Sequence, residues 1–116
     1  YLRTRIAKHM IDVKAHGLTM VRAAEEAKGN INPSAPTSVM TNYGTWIGQE
    51  KAELTLEIMG HQGLGWEGDG FSKDERDAVR TWLSGKATTI FGGSQEIQSN
   101  IVSKRILGLP DTTQNA

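Results

Sequence analysis

The sequence predicts an all-α fold, an antiparallel helical bundle of about four helices with one long ordered loop. Four segments carry apolar residues at helical spacing. Helix start and stop signals bound these segments, and no segment shows the apolar–polar alternation of a half-buried strand.

The first helix is predicted over about Leu2 to Lys28, with Gly29-Asn30 as its stop. Its apolar residues broadly suit one helical face, and they are Ile6, Met10, Val13, Met20, Val21 and Ala24. The following residues, Ile31 to Pro36, are predicted to form a loop, because two prolines three positions apart cannot continue a helix.

The second helix is predicted over about Thr37 to Met59, ending at Gly60. Its apolar positions are Val39, Met40, Tyr43, Trp46, Ile47, Leu54 and Ile58. The stretch from Gly60 to Phe71 is too rich in glycine to be an ordinary helix and is predicted to be the long loop.

The third helix is predicted to open with Ser72-Lys73-Asp74-Glu75, a capping-box pattern, and to run towards Ile90. The run of charges at its start is typical of a solvated first turn. The fourth helix is predicted to start near Ser94, with Gly108 and Pro110 as its stop. Four apolar residues of this helix are expected to be buried, namely Ile97, Ile101, Val102 and Ile106. Glu96 lies near its positive end, and Lys104 and Arg105 lie near its negative end, as the helix dipole favours.

Length and composition bound the function. A chain of 116 residues suits one small domain, and 13 basic residues balance 13 acidic ones, so no charge excess indicates nucleic acid or an anionic membrane as a partner. The absence of cysteine excludes disulfides and thiolate chemistry and is typical of a cytosolic protein. No apolar run reaches membrane-spanning length, and the first residues already have a helical pattern. We therefore expect residues 1–116 to be one domain of a longer chain.

Two patterns that often indicate a ligand favour a structural interpretation here. Gly63 to Gly68 match the dinucleotide-binding spacing G-x-G-x-x-G, but that motif has meaning only between a strand and a helix, and here it follows a helix. His9 and His16 lie seven residues apart on one helical face without a third ligand at metal spacing, so we expect no metal site.

The most informative segment is the glycine pair Gly92-Gly93 with the helix that follows it. A glycine turn feeding a helix N-terminus can hold an anion or a carbonyl oxygen through backbone groups. The whole run from Phe91 through Ser94-Gln95-Glu96-Ile97-Gln98 to Leu107-Gly108-Leu109-Pro110 closely resembles the C-terminal signature of the acyl-CoA dehydrogenases. That signature is usually Gly-Gly-Thr-Ser-Glu-Ile-Gln, ending in Leu-Gly-Leu-Pro.

The resemblance implies the C-terminal helical bundle of a flavoprotein that binds FAD and oxidises an acyl-CoA to the trans-2-enoyl-CoA in fatty acid metabolism. A second match supports it, because the segment from Glu57 to Gly63 is similar to the family's Ile/Leu-Leu-Gly-Gly-x-Gly turn, with His61 in place of the second glycine. In the family this turn approaches the FAD of the adjacent subunit. The resemblance therefore implies cofactor contacts at Glu57, Gly60 and His61.

The glycine turn resembles the family segment that lies between the thioester and the flavin, which implies substrate contacts at Phe91, Gly92 and Gly93. The backbone N–H of Gly92 would bind the thioester oxygen. Ser94 and Glu96 match positions that bind the nucleotide half of FAD. Several family members carry the catalytic glutamate at the position of Phe91 or Gly92, and neither residue can accept a proton. The general base is therefore expected outside this chain.

The resemblance further implies an acyl-CoA substrate, an electron-transfer flavoprotein as electron acceptor and a homo- or hetero-oligomer, either a dimer or a tetramer. It implies a cytoplasmic location, or the mitochondrial matrix in a eukaryote. Because the base is missing from the turn, a second hypothesis stays open, a catalytically silent structural or assembly subunit of the same family. The acyl chain length is not readable from these residues.

Overall fold

The computed structural model describes residues 1–29 and 35–110, and these form four α-helices without any strand in the described part of the chain. The helices are α1 (Leu2–Lys28), α2 (Ala35–Met59), α3 (Lys73–Gly85) and α4 (Gln95–Ile101). The predicted all-α fold class and the number of helices are confirmed.

The ends of α1 and α3 are fixed by local hydrogen bonds that the sequence signals. At the end of α1, the N–H of Gly29 donates to the carbonyls of Glu25 and Glu26. At the start of α3, the Oγ of Ser72 accepts from the Glu75 N–H at 3.2 Å, and the Glu75 carboxylate accepts from the Ser72 N–H at 2.7 Å. The predicted capping box is therefore confirmed.

The start of α2 differs from the prediction. The helix begins at Ala35, so Pro36 lies in its first turn and not in the preceding loop. Proline is tolerated there because the first helical N–H groups have no partner within the helix and the fixed φ of proline suits the helix. The rest of the predicted loop, residues 31–34, lies outside the described residues.

Short, non-α helical turns follow three of the helices. A 3-10 turn over Gly60–Leu64 continues α2, and a second one over Lys86–Thr89 continues α3, which ends at Gly85 and not near Ile90 as predicted. A π-helical turn over Val102–Ile106 continues α4, and the positive φ of +64° at Gly108 then ends the helix, as predicted.

Helix α2 is the centre of the bundle, since α1, α3 and α4 all pack against it. The apolar core is small, and the buried apolar side chains among the described residues are Leu54 and Val79. The radius of gyration is 18.3 Å, against about 13 Å for a compact globule of this length. The chain is therefore extended and buries little of its own apolar surface.

The apolar face of α1 points away from α2. A polar face is turned inward instead, where the Tyr43 hydroxyl donates to Asp12 at 2.6 Å and His16 Nε2 lies 3.1 Å from the Met40 carbonyl oxygen. The outward apolar residues include Met10, Val13, Met20 and Val21, which are 45–66 % exposed. The prediction that these residues share a face fits the helical register, but in this chain that face is not a core.

Two of the burial predictions for the last helix are also wrong in this chain. Ile97 is 54 % exposed and Ile106 is 38 % exposed, whereas Ile101 and Val102 are half-buried. Helix α4 has only seven residues and has α2 as its main α-helical neighbour, so it can bury only one narrow stripe of side chains. Within the described residues, no helix is long and apolar enough to span a membrane.

Candidate functional site

The glycine turn lies between the 3-10 turn Lys86–Thr89 and helix α4. Gly92 and Gly93 have φ of +72° and +109°, a region that side-chain-bearing residues rarely adopt. The preceding N–H, that of Phe91, donates to the Ala87 carbonyl at 3.1 Å. The sequence therefore needs glycine at both positions to turn the backbone sharply into α4.

Gln98 fixes the shape of this turn. Its side-chain Nε2 donates to the Gly92 carbonyl at 3.1 Å. A Cβ on Gly93 would lie 2.8 Å from this Nε2. The other side of the turn is open, since a Cβ on Gly92 would meet no atom within 4 Å. Among the described residues, the Gly92 N–H donates no hydrogen bond. The turn therefore presents an exposed and unused backbone donor.

Phe91 lies beside this donor and is 71 % exposed. Its neighbour Ile90 is similarly exposed, at 68 %. Two large, exposed apolar side chains at this turn are suited to contact an apolar ligand group or another part of a larger protein.

Ser94 and Glu96 are both used by their own helix in this structure. The Ser94 Oγ accepts from the Ile97 N–H at 3.4 Å and caps α4. The pKa of Glu96 is lowered, first because its carboxylate accepts a hydrogen bond from its own backbone N–H, and second because the Ser94 hydroxyl donates to it. A ligand that binds Ser94 or Glu96 would therefore contact side chains that already form hydrogen bonds at the start of α4.

The second predicted turn lies at the carboxyl end of α2. Gly60 has a φ of +59° and redirects the chain into the 3-10 turn, and His61 is exposed. Gly63 is buried, and a Cβ there would lie 2.7 Å from the carbonyl oxygen of Leu56. The missing side chain of Gly63 therefore lets the turn pack closely against the chain's own helix α2.

A cavity of about 400 Å³ opens beside this second turn. Its lining includes Arg5, Glu57, Gly60, Gly63, Leu64 and Trp82. Arg5 forms an ion pair with Glu57 and a second one with Glu50, in which Nη2 lies 2.9 Å from Oε1. Glu57 is thus half-exposed at the cavity with its charge already compensated.

A third ion pair lies on the α3 side of the same cavity. Glu53, which also lines the cavity, pairs with Lys86. The pKa of Glu53 is lowered, chiefly because Lys86 donates a hydrogen bond to it, and the nearby indole N–H of Trp82 acts in the same direction. The cavity wall is therefore lined by carboxylates whose negative charges are held by two cations.

Within the described residues, the cavity at the second turn does not extend to the glycine turn at Gly92. The described lining of the cavity comes from α1, α2, the 3-10 turn after α2, and α3, and it includes none of the residues from Phe91 to Glu96. A further apolar cavity of about 380 Å³ lies between α2 and the last helix, lined in part by Val39, Tyr43, Val102 and Leu107. It contains none of the predicted site residues.

Sequence reasoning missed Arg5 and Gln98. Gln98 is six residues from the carbonyl it binds, so a glutamine one turn into the helix was a possible local signal. Arg5 is 52 residues from Glu57, and no local pattern connects the two positions. Only the packing of α1 on α2 brings them together.

The two structural interpretations of ligand-like patterns have direct explanations. Gly65, within the G-x-G-x-x-G spacing, is buried against the Phe71 ring, where a Cβ would lie 2.3 Å from ring carbons, and the loop around it joins two helices. His16 Nε2 lies within hydrogen-bonding distance of the Met40 carbonyl. Gly44 leaves the space for this contact, since a Cβ there would be 3.0 Å from the same nitrogen.

Residues 1–107 match the family described as "Acyl-CoA dehydrogenase, C-terminal domain", and the chain belongs to the acyl-CoA dehydrogenase family. It is similar to acyl-CoA dehydrogenase FadE34 of Mycobacterium tuberculosis, with 31 % identity over 106 residues, which is 91 % of this chain and 14 % of the relative. It is also similar to acyl-CoA dehydrogenase IpdE1 of Mycolicibacterium smegmatis, with 40 % identity over 62 residues, which is 53 % of this chain and 15 % of the relative.

The chain therefore spans about a seventh of the length of these curated relatives. No solved structure matches the chain. The predicted family is confirmed by the match over residues 1–107.

Proposed function

We propose that residues 1–116 are the C-terminal domain of an FAD-dependent acyl-CoA dehydrogenase that oxidises an acyl-CoA to the trans-2-enoyl-CoA. The observation that carries this proposal is the turn at Gly92, where an exposed backbone with a positive φ presents an unused N–H donor. Membership of the acyl-CoA dehydrogenase family supports the choice of ligand. A backbone donor of this kind suits a thioester oxygen that gains negative charge as the α-proton leaves.

The general base is proposed to lie elsewhere in the complete protein. Phe91 and Gly92 have no proton-accepting side chain. The nearby Glu96 is poorly suited as a base. Its pKa is lowered by hydrogen bonds at the start of α4, and a carboxylate with a lowered pKa accepts a proton less readily. The role of this chain is therefore to orient the thioester, with Phe91 and Gly93 completing the substrate side of the turn.

The residues proposed for FAD suit the hydroxyl- and amine-bearing parts of its nucleotide half. Glu57 and Glu96 are carboxylates, which accept hydrogen bonds, and neither charge favours a phosphate. Ser94 and the exposed His61 can both donate and accept, and Gly60 allows close approach of the backbone. When bound, FAD would accept the hydride that leaves the β-carbon of the thioester.

The complete protein is proposed to be a dimer or tetramer in which the turn at Gly60 meets the flavin of a neighbouring subunit. An electron-transfer flavoprotein is the proposed electron acceptor. The alternative, a catalytically silent family subunit, is favoured by one specific observation, the absence of a proton acceptor at Phe91 and Gly92.

The full-length protein tests the proposal directly. We expect it to purify with bound flavin and to reduce an artificial dye when a suitable acyl-CoA is added, with the enoyl-CoA as the product by mass spectrometry. A panel of short, branched, long and steroid-side-chain thioesters covers the open question of the acyl group. A flavin-loaded protein that leaves every thioester unchanged supports the silent subunit instead.

A further inference from the structure

Arg5 is the one α1 side chain that ion pairs with the carboxyl half of α2 in the described residues. Its Nε and Nη2 donate to Glu50 Oε1 at 3.3 and 2.9 Å, and its Nη1 donates to Glu57. The two glutamates lie seven residues apart, two turns of one helix face, so a single guanidinium fork spans them. Arg5 is only 25 % exposed, which strengthens its charge interactions relative to surface pairs.

Carboxylates outnumber cations around the cavity. Three carboxylates, those of Glu50, Glu53 and Glu57, face two cations, Arg5 and Lys86. Lys86 is held by Glu53. Among the described residues, Arg5 is therefore the cation that pairs with Glu57, which lies at the carboxyl end of α2, where the helix dipole is itself negative.

Without Arg5, the Glu57 carboxylate would add a bare negative charge beside the cofactor contact proposed at Gly60. A dinucleotide carries negative charge on its diphosphate, so the uncompensated carboxylate would repel it. With Arg5 in place, the charge of Glu57 is offset by a cation that it shares with Glu50, and its remaining lone pairs can still accept from hydroxyl donors.

We propose that Arg5 is a positioning residue for the cofactor, which holds the Glu57 carboxylate at the cavity and offsets its charge so that a hydroxyl-bearing part of the FAD nucleotide can donate to it. This inference rests on the proposed function, because it assumes that the turn after α2 meets FAD. It adds a residue from a different helix to that contact.

The test is a double-mutant cycle in the full-length protein. FAD is removed and titrated back, and its Kd is measured by flavin fluorescence for the wild type, Arg5→Gln, Glu57→Gln and the double variant. We expect Arg5→Gln to raise the Kd by about tenfold or more, because it leaves a carboxylate unpaired. Adding Glu57→Gln to Arg5→Gln should recover most of that loss, because no charge then needs compensation.

Glu50→Gln is the matched control, since it removes the other partner of Arg5 and leaves the pair with Glu57 in place. It should lower the melting temperature without weakening the binding of FAD, because Arg5 still pairs with Glu57. If the double variant binds FAD no better than Arg5→Gln, Arg5 acts only as a brace between α1 and α2, and the proposal is overturned.

Two other outcomes separate this proposal from the proposed function. If no variant changes the Kd although the wild type binds FAD, the cavity is not part of the cofactor site, which overturns the role of Arg5 and leaves the Gly92 turn untouched. If the wild-type full-length protein binds no FAD, both proposals fail together.

Discussion

Gly93 has a backbone conformation that only glycine adopts readily, so substituting it should destabilise the protein through backbone strain. Its φ of +109° and the 2.8 Å approach of Gln98 Nε2 to a hypothetical Cβ both oppose any side chain. We expect Gly93→Ala to lower the free energy of unfolding by about 1–2 kcal/mol. Gly17→Ala is the control, because Gly17 lies inside α1 with nothing within 4 Å of its added Cβ.

Denaturant unfolding of both variants gives the comparison. The control should be unchanged or more stable by up to about 1 kcal/mol, since alanine is the better helix former. Equal stability of Gly93→Ala and the wild type would show that the turn does not need the backbone conformation seen at Gly93.

The lowered pKa of Glu96, in the first turn of α4, predicts that its contribution to stability depends on pH. The pKa of Glu96 lies below its ordinary value, so its contribution to stability is present above the ordinary glutamate pKa and is lost as the pH falls through the lowered one. Ser94→Ala removes one cause of the shift and should move the pKa of Glu96 upward. A carbon-detected NMR titration measures this, with Glu53 as an internal reference whose pKa should stay low. An unchanged Glu96 pKa in Ser94→Ala would exclude the hydroxyl as a cause.

The glycine pair could be predicted from the sequence because its conformation is a local requirement. The hydrogen bond from Gln98 to the Gly92 carbonyl and the ion pair between Arg5 and Glu57 could not be predicted in the same way. The first depends on the rotamer of one side chain, and the second depends on how two helices pack.

At the scale of elements, the capping box of Ser72 and Glu75 predicts how much one side chain at the start of α3 contributes to stability. We expect Ser72→Ala to lower the free energy of unfolding by about 1 kcal/mol, because the Glu75 N–H loses its acceptor at the start of α3. Ser84→Ala, in the exposed part of the same helix, should have a much smaller effect. Chemical denaturation followed by circular dichroism measures both, and equal effects of the two variants would contradict a role for the box.

The helix bounds were predictable where capping residues act within one turn, as at Gly29 and Ser72. The sequence predicts the start of α2 two residues too late, because a proline such as Pro36 can either break a helix or lie in its first turn, and here it lies in the first turn. The π-helical turn after α4 has no local sequence signal. The orientation of α1 also could not be predicted, since its polar face, with Asp12 and His16, carries the contacts to α2.

At the scale of the whole molecule, the described part of the chain leaves much of its apolar surface exposed. Its apolar face on α1 is exposed, its radius of gyration is large for its length, and it matches 14–15 % of the length of its relatives. We infer that other parts of the complete protein cover this face.

Residues 1–116 alone should therefore not bind FAD stably, because the two proposed cofactor turns do not share a pocket within the described chain. The isolated chain should also bind a hydrophobic dye through its exposed apolar face. A fluorescence titration with FAD measures the first expectation, and the full-length protein is the control. Tight, stoichiometric binding of FAD by the isolated chain would contradict it.

The most direct test of the central claim is the reduction of bound flavin by acyl-CoA in a single turnover of the full-length protein, measured by absorbance for the wild type and Gly92→Glu. We expect the wild type to bleach its flavin. The variant should be slower by about tenfold or more, because glutamate strains the backbone at a φ of +72° and crowds the open side of the turn where the thioester is proposed to bind. A wild type that stays oxidised with every acyl-CoA, beside a Gly92→Glu variant that bleaches, would contradict the account and identify a relative that has lost its base.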